Sequence, residues 1–136
     1  MTRKRVILAE DHPEIAQHLH ALLGTHYDVR IVPDGRALIA AADREMPDII
    51  VSDVKMPGLD GLTAAMNIRA MRSDVPFVFV SVRDDPGVIR KALAQGARGY
   101  VVKCDAGEEL ANAVEAVLSG GKYFSTAAQR ALRSEP

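Results

Sequence analysis

Short apolar runs alternate along this chain with stripes of apolar residues at helical spacing. "RVILA" (Arg5 to Ala9) predicts a buried strand, and Pro13 suits the first turn of a helix that follows. In that helix Ile15, Leu19, Leu22 and Leu23 fall at i, i+4, i+7 and i+8, and Gly24 ends it. "YDVRIV" alternates and predicts a flanking strand, closed by Asp34-Gly35. A short helix with Ala37, Leu38 and Ala41 comes next. Ile49, Ile50 and Val51 form a third apolar run that ends in Asp53 and breaks at Pro57-Gly58. Beyond Gly61, the residues Leu62, Ala65, Ile68 and Met71 make a helical stripe. "VPFVFVSV" is the most strand-like stretch of the chain, and Asp84-Asp85-Pro86 marks a helix start. "GYVV" predicts a fifth strand. The last stripe, Leu110, Val114, Val117 and Leu118, begins near Glu108-Glu109 and stops at Gly120-Gly121.

Five strands alternating with five helices predict an α/β domain whose parallel sheet is covered on both faces. Residues 1–121 make one domain by this reading. The segment 122–136, "KYFSTAAQRALRSEP" from its first residue, is too short for a second domain and is expected as a frayed helix, a tail or the start of a linker.

Composition narrows the class. At 136 residues, 48% hydrophobic and 26% charged, the chain is long enough for a real core and too apolar for disorder. Its net charge of −1 advertises neither nucleic acid nor a membrane surface. No apolar run approaches the ~20 residues of a membrane span, and the basic start is too short for a secretory signal, so a cytoplasmic location is expected. One cysteine, Cys104, rules out an internal disulfide and a multi-cysteine zinc site. His12, His18, His20 and His26 lack metal-finger spacing and are expected as exposed polar residues.

The chemistry converges at the strand ends. In a doubly wound sheet, ligands bind outside the carboxyl ends of the strands. Strand one ends in Glu10 and Asp11, strand three in Asp53, strand four in Ser81 and strand five in Lys103. Clustered carboxylates favour a hard cation such as Mg²⁺. A carboxylate can act as a nucleophile and form an acyl phosphate, and a lysine and a metal would neutralise charge on the transferred group. Taken singly, each residue is better explained as a turn acid, a cap or a surface charge. Together, on one rim, they form a coherent phosphoryl-accepting set.

These residues resemble a known family. "ILAEDHPEI", "DIIVSDVKMPGLDG", "VFVSVRDD" and "GARGYVVK" are similar, in order and spacing, to the receiver domain of two-component response regulators, over roughly residues 4 to 121. The resemblance implies a flavodoxin-like sheet of order 2-1-3-4-5 and phosphotransfer from a sensor histidine kinase, with Mg²⁺ required. It implies Asp53 as phosphoacceptor. Glu10, Asp11, Asp53 and the backbone carbonyl of Lys55 would hold the metal. Lys103 would be the phosphate partner, and Ser81 and Tyr100 would form the switch. "CDAGEEL" after Lys103 and "SGGKYFS" after the last helix are similar to the NarL/FixJ/LuxR type, whose receivers usually precede a DNA-binding helix-turn-helix. The chain is therefore expected to be a receiver separated from such a domain, with a stand-alone receiver as the alternative. DNA contact would come only through that further domain, and a phosphorylation-dependent homodimer is a further implied partner.

Val82, where a small residue is common, is expected to narrow access to the site, and Cys104 is expected as a packing residue. Three other readings fit the chain less well. A turnover enzyme would need a second acid two residues after Asp53, where Lys55 stands. A nucleotide-binding module would need glycine-rich phosphate loops that the chain lacks. A receiver that is never phosphorylated is not suggested by a chain in which every motif position is filled.

Overall fold

The fold is seen in a computed structural model that describes residues 3–72 and 74–134. The elements run β1 (Arg5–Ala9), α1 (Pro13–Leu23), β2 (Asp28–Val32), α2 (Gly35–Glu45), β3 (Ile49–Ser52), α3 (Gly61–Met71) and β4 (Phe77–Ser81). Then follow α4 (Pro86–Ala94), β5 (Gly99–Val102), a short 3₁₀ turn at Lys103–Asp105, α5 (Ala106–Leu118), β6 (Tyr123–Phe124) and α6 (Thr126–Arg133).

All strands are parallel, in the order β2-β1-β3-β4-β5-β6. β1, β3, β4 and β5 read as unbroken apolar runs because side chains are covered on both faces of the sheet. Alternate residues serve opposite layers. Ile7, Ile50, Phe77 and Phe79 pack on the side of Leu38, Leu62, Ile68 and Ile89, from α2, α3 and α4. Val6, Leu8, Ile49, Val51, Val78 and Val101 meet Leu19 and Leu23 of α1 and Leu110, Val114 and Val117 of α5. Each fully buried aliphatic or aromatic side chain contributes about 1.5–3 kcal/mol relative to exposure.

The order places the site. From β1 the chain crosses first to β2 on one side and then to β3 on the other, so the crevice lies beyond the ends of β1 and β3. The Asp53 N–H donates to the carbonyl of Ala9 (3.0 Å) and the Glu10 N–H to that of Val32 (3.1 Å), which extends the sheet hydrogen bonding into the acidic residues.

Three expectations need correction. Among the described residues the sheet has six strands and the domain six α-helices, because the segment expected as a frayed helix, a tail or the start of a linker forms β6 and a docked helix, α6. Tyr123 pairs with Gly99 and Phe124 with Tyr100, and Ser125 and Ala128 are buried. The stripe on α3 stops at Ile68: Met71 is the last helical residue and is half exposed. Finally, α5 begins at Ala106 rather than near Glu108, because the chain passes directly from β5 through the 3₁₀ turn into the helix.

Candidate functional site

Lys103 holds two carboxylates at once. Its Nζ lies 2.8 Å from Asp53 Oδ2 and 2.7 Å from Glu10 Oε1, so the ends of β1, β3 and β5 meet in one ionic cluster. Glu10 and Asp53 are buried and Lys103 is nearly so. Burial raises the Glu10 carboxyl, yet hydrogen bonds from Lys103 and His12 outweigh it and hold the group below its ordinary value. Burial also raises Asp53, and here the hydrogen bond and charge of Lys103 do not reverse the shift, so this carboxylate is more basic than usual. Burial alone would lower the Lys103 ammonium. Its hydrogen bonds to Asp53 and Glu10 raise it instead, so it stays charged.

The acid pair is not spent on capping α1. His12 is the N-cap residue, with no side-chain cap bond. Glu10 Oε2 accepts instead from the His12 backbone N–H (3.1 Å) and meets its Nδ1 at 3.0 Å, while Asp11 Oδ1 lies 3.4 Å from the same ring nitrogen. The hydrogen bond with Glu10 and the charge of Asp11 raise the pKa of His12. Asp11 Oδ1 is buried without a hydrogen-bond partner. Ligand atoms of Glu10, Asp11 and His12 lie within 4.8 Å of one another, a compact acidic pocket. That group contains His12 and not Asp53. Reading His12 as one more exposed polar residue misses this contact, and its place directly after the acid pair is the signal that points to it.

Behind Asp53 the chain must pass close to itself. A Cβ on Gly61 would stand 1.9 Å from the Asp53 carbonyl oxygen, so only glycine lets α3 begin against the end of β3. The Gly61 N–H donates to the Val54 carbonyl at 2.8 Å and closes the loop. The Lys55 N–H lies 3.4 Å from Asp53 Oδ1, and the Lys55 side chain is exposed.

Ser81 and Tyr100 meet through the backbone of Arg83. The Arg83 N–H donates to Ser81 Oγ (3.0 Å), and the Tyr100 hydroxyl donates to the Arg83 carbonyl (2.8 Å). Tyr100 is fully buried. Burial, partly offset by a hydrogen bond with Ser81, pushes its phenol up to about 12. Among the described residues Ser81 bonds to Arg83 rather than to Asp53 or Lys103. Val82, expected to narrow access to the site, directly follows β4 and is 70% exposed. Cys104 is likewise exposed rather than packed. A cavity of about 760 Å³ bordered by Arg3, His20, Tyr27 and Glu45 lies at the β2 edge and includes none of the ionic cluster, so the chemistry of the strand ends and not cavity size defines the site.

A doubly wound parallel sheet with acids after β1 and β3 and a lysine after β5 defines a class, and comparison with known proteins agrees. The chain matches the response regulator receiver domain over residues 6–115 and belongs to that family. The transcriptional regulatory protein MctR of Rhizobium johnstonii is 32% identical over 139 residues, covering 96% of this chain and 63% of MctR. The transcriptional regulatory protein DesR of Bacillus subtilis is 30% identical over 133 residues, covering 96% of this chain and 66% of DesR. The chain thus spans about two-thirds of the length of these relatives. A crystal structure of a LuxR-family two-component response regulator from Aurantimonas sp. superposes with a TM-score of 0.92 at 26% identity, over 98% of this chain and 97% of that one. The NarL/LuxR kinship expected from the residues around Lys103 and Gly120 is the one these proteins display. Among the described residues no helix is long and apolar enough to cross a membrane.

Proposed function

We propose that this domain is a phosphoryl-accepting switch in which Asp53 takes the phosphoryl group from a sensor histidine kinase. The observation that carries the reading is the Lys103 ammonium shared between Asp53 and Glu10 at 2.8 and 2.7 Å. An Asp53 carboxylate oxygen attacks phosphorus. The O–P bond forms as the P–N bond of the phosphohistidine breaks, and the departing imidazole keeps the electron pair and takes up a proton. Lys103 balances the charge that gathers on the phosphoryl oxygens, in a buried setting where a fixed charge acts strongly.

The residues suit Mg²⁺. Asp11 Oδ1 is buried with no hydrogen-bond partner, and the donors around it are mainly oxygens, as this ion prefers. Asp11, Asp53 and the Lys55 carbonyl would hold the ion, with Glu10 acting through water. When bound, it supplies Lewis-acid stabilisation of the phosphoryl oxygens.

The domain is a stoichiometric acceptor rather than a turnover enzyme, since Lys55 stands where a second acid would be needed. The setting is the cytoplasm. The output is control of a DNA-binding domain in the parent regulator, in keeping with the transcriptional regulators that are its relatives, and a phosphorylation-dependent homodimer would carry it. A receiver working alone through protein contacts is the other output compatible with the site.

Incubation with acetyl phosphate and Mg²⁺, followed by intact mass, tests the reading. Wild type should gain one phosphoryl group and Asp53→Asn none. Equal labelling of both refutes it.

A further inference from the structure

The outer edge of β2 is open, and its main-chain groups alternate in direction. Among the described residues β2 pairs with β1 alone, at the end of the sheet. The Asp28 N–H donates to the Lys4 carbonyl (3.0 Å), and the Val32 carbonyl accepts from the Glu10 N–H (3.1 Å). Residues 28, 30 and 32 therefore turn their peptide groups inward to β1, and Val29 and Ile31 turn theirs outward. The side chains alternate as well. Val29 and Ile31 are half-buried against the layer of Leu19 and Leu23. Asp28 and Arg30 are exposed on the α2 side, where Arg30 Nε meets Glu45 Oε2 at 3.0 Å. Asp28, Val29 and Arg30 also line the open recess of about 760 Å³ at this edge.

Such an edge is a template for another strand, and charged side chains usually deny it one. Here the order acid, apolar, base along Asp28-Val29-Arg30 does the reverse. Two copies related by a two-fold axis normal to the sheet set their β2 strands antiparallel. With that axis at Val29, the two Val29 residues exchange both of their outward hydrogen bonds. Asp28 of each copy then stands opposite Arg30 of the other, at the non-hydrogen-bonded positions where side chains come closest. On the other face Ile31 comes opposite Tyr27, a favourable pairing of a β-branched residue with an aromatic. Centring the pair on Asp28 or on Arg30 instead sets like charges against each other. Charge thus selects a single register.

We propose that β2 is a self-association edge whose occupant is the β2 edge of a second copy of this chain. Arg30 keeps Glu45 and gains Asp28 of the second copy, because a guanidinium carries five N–H donors in a fork. The contact is short, one strand of five residues from each copy, so it is weak and is populated where chains are concentrated. It joins the two sheets edge to edge and satisfies main-chain groups that otherwise face water. β1 separates this edge from β3 and Asp53, so association here requires neither Asp53 nor a phosphoryl group on it. The proposal is independent of the phosphoacceptor reading.

Amide exchange of the whole chain, followed by nuclear magnetic resonance from ~10 μM to ~1 mM protein, tests this over the range where weak contacts form. In dilute protein the outward Val29 and Ile31 amides should exchange fast, and those of residues 28, 30 and 32, bonded to β1, slowly. At the high concentration the Val29 and Ile31 amides should slow at least about twofold, the effect of pairing half of the chains. Sedimentation equilibrium of Asp28→Arg and of Arg30→Asp should show association weakened about tenfold, since two symmetric pairs each turn repulsive. The double exchange Asp28→Arg with Arg30→Asp should restore it. No slowing at Val29 and Ile31 overturns the proposal. So does association that the single exchanges leave unchanged, or that the double exchange fails to recover.

Discussion

Lys103 Nζ lies 2.8 Å from Asp53 Oδ2, although fifty residues separate the two in sequence. The contact ties the end of β5 to the end of β3 across the intervening β4. It also leaves a basic, buried carboxylate facing a permanent cation. Most of what the domain is proposed to do follows from that pair and from what surrounds it.

The support behind Asp53 is steric. Gly61→Ala would drive a methyl group to 1.9 Å from the Asp53 carbonyl oxygen, and backbone cannot yield as a flexible side chain does. Overpacking of this kind costs about 1–3 kcal/mol, and the upper end is expected here. Urea unfolding of the variant measures it, and an unchanged midpoint would show that α3 can start without glycine.

The docked C-terminal segment has its own test. Ser125→Ala leaves the Val102 N–H, deep beside the sheet, without its acceptor. An unpaired buried donor costs about 1–3 kcal/mol, so a loss in that range is expected from thermal or urea unfolding. A loss below about 0.5 kcal/mol, the scatter of ordinary surface changes, would mean that the segment is not held there.

The general architecture was open to sequence reasoning because parallel strands covered on both faces leave apolar runs such as Ile49–Val51. The site was legible for a related reason: strand ends are easy to locate, and the topology sends them all to one rim. What escaped were short features. β6 is two residues long, and α6, although strongly amphipathic, is only eight residues long and turns mainly small alanines toward the core. Ser125 is polar and buried, which hydropathy does not anticipate. The link between Ser81 and Tyr100 uses main-chain atoms of Arg83, to which the identity of the side chain is no guide. His12 was visible in the sequence, but its contact with both acids depends on the bend that enters α1.

Tyr100 should titrate late. Its phenol is pushed up from 10.0 to about 12, with burial the main cause. Between those values the unfolded chain releases the proton while the folded domain keeps it, so stability falls as pH rises through that window. The ultraviolet phenolate absorbance of wild type minus that of Tyr100→Phe isolates this group. A midpoint near the ordinary value of 10.0 would contradict the buried, hydrogen-bonded placement.

Mg²⁺ should stabilise the fold. A ligand that binds only the native state at ten times its dissociation constant adds roughly 1.4 kcal/mol, and the melting temperature should rise accordingly. In Asp11→Ala the rise should vanish, because the buried Oδ1, which has no hydrogen bond to satisfy it, is gone. An equal rise in both proteins would place the ion elsewhere.

Borohydride trapping tests the central claim most directly. Hydride reduces an acyl phosphate to the alcohol with release of phosphate, and so marks the phosphorylated aspartate as homoserine. After acetyl phosphate and Mg²⁺, peptide mapping should find homoserine at position 53 and at no other acid. Homoserine at position 11, or at no position in protein whose mass shows a bound phosphoryl group, would contradict the assignment of Asp53.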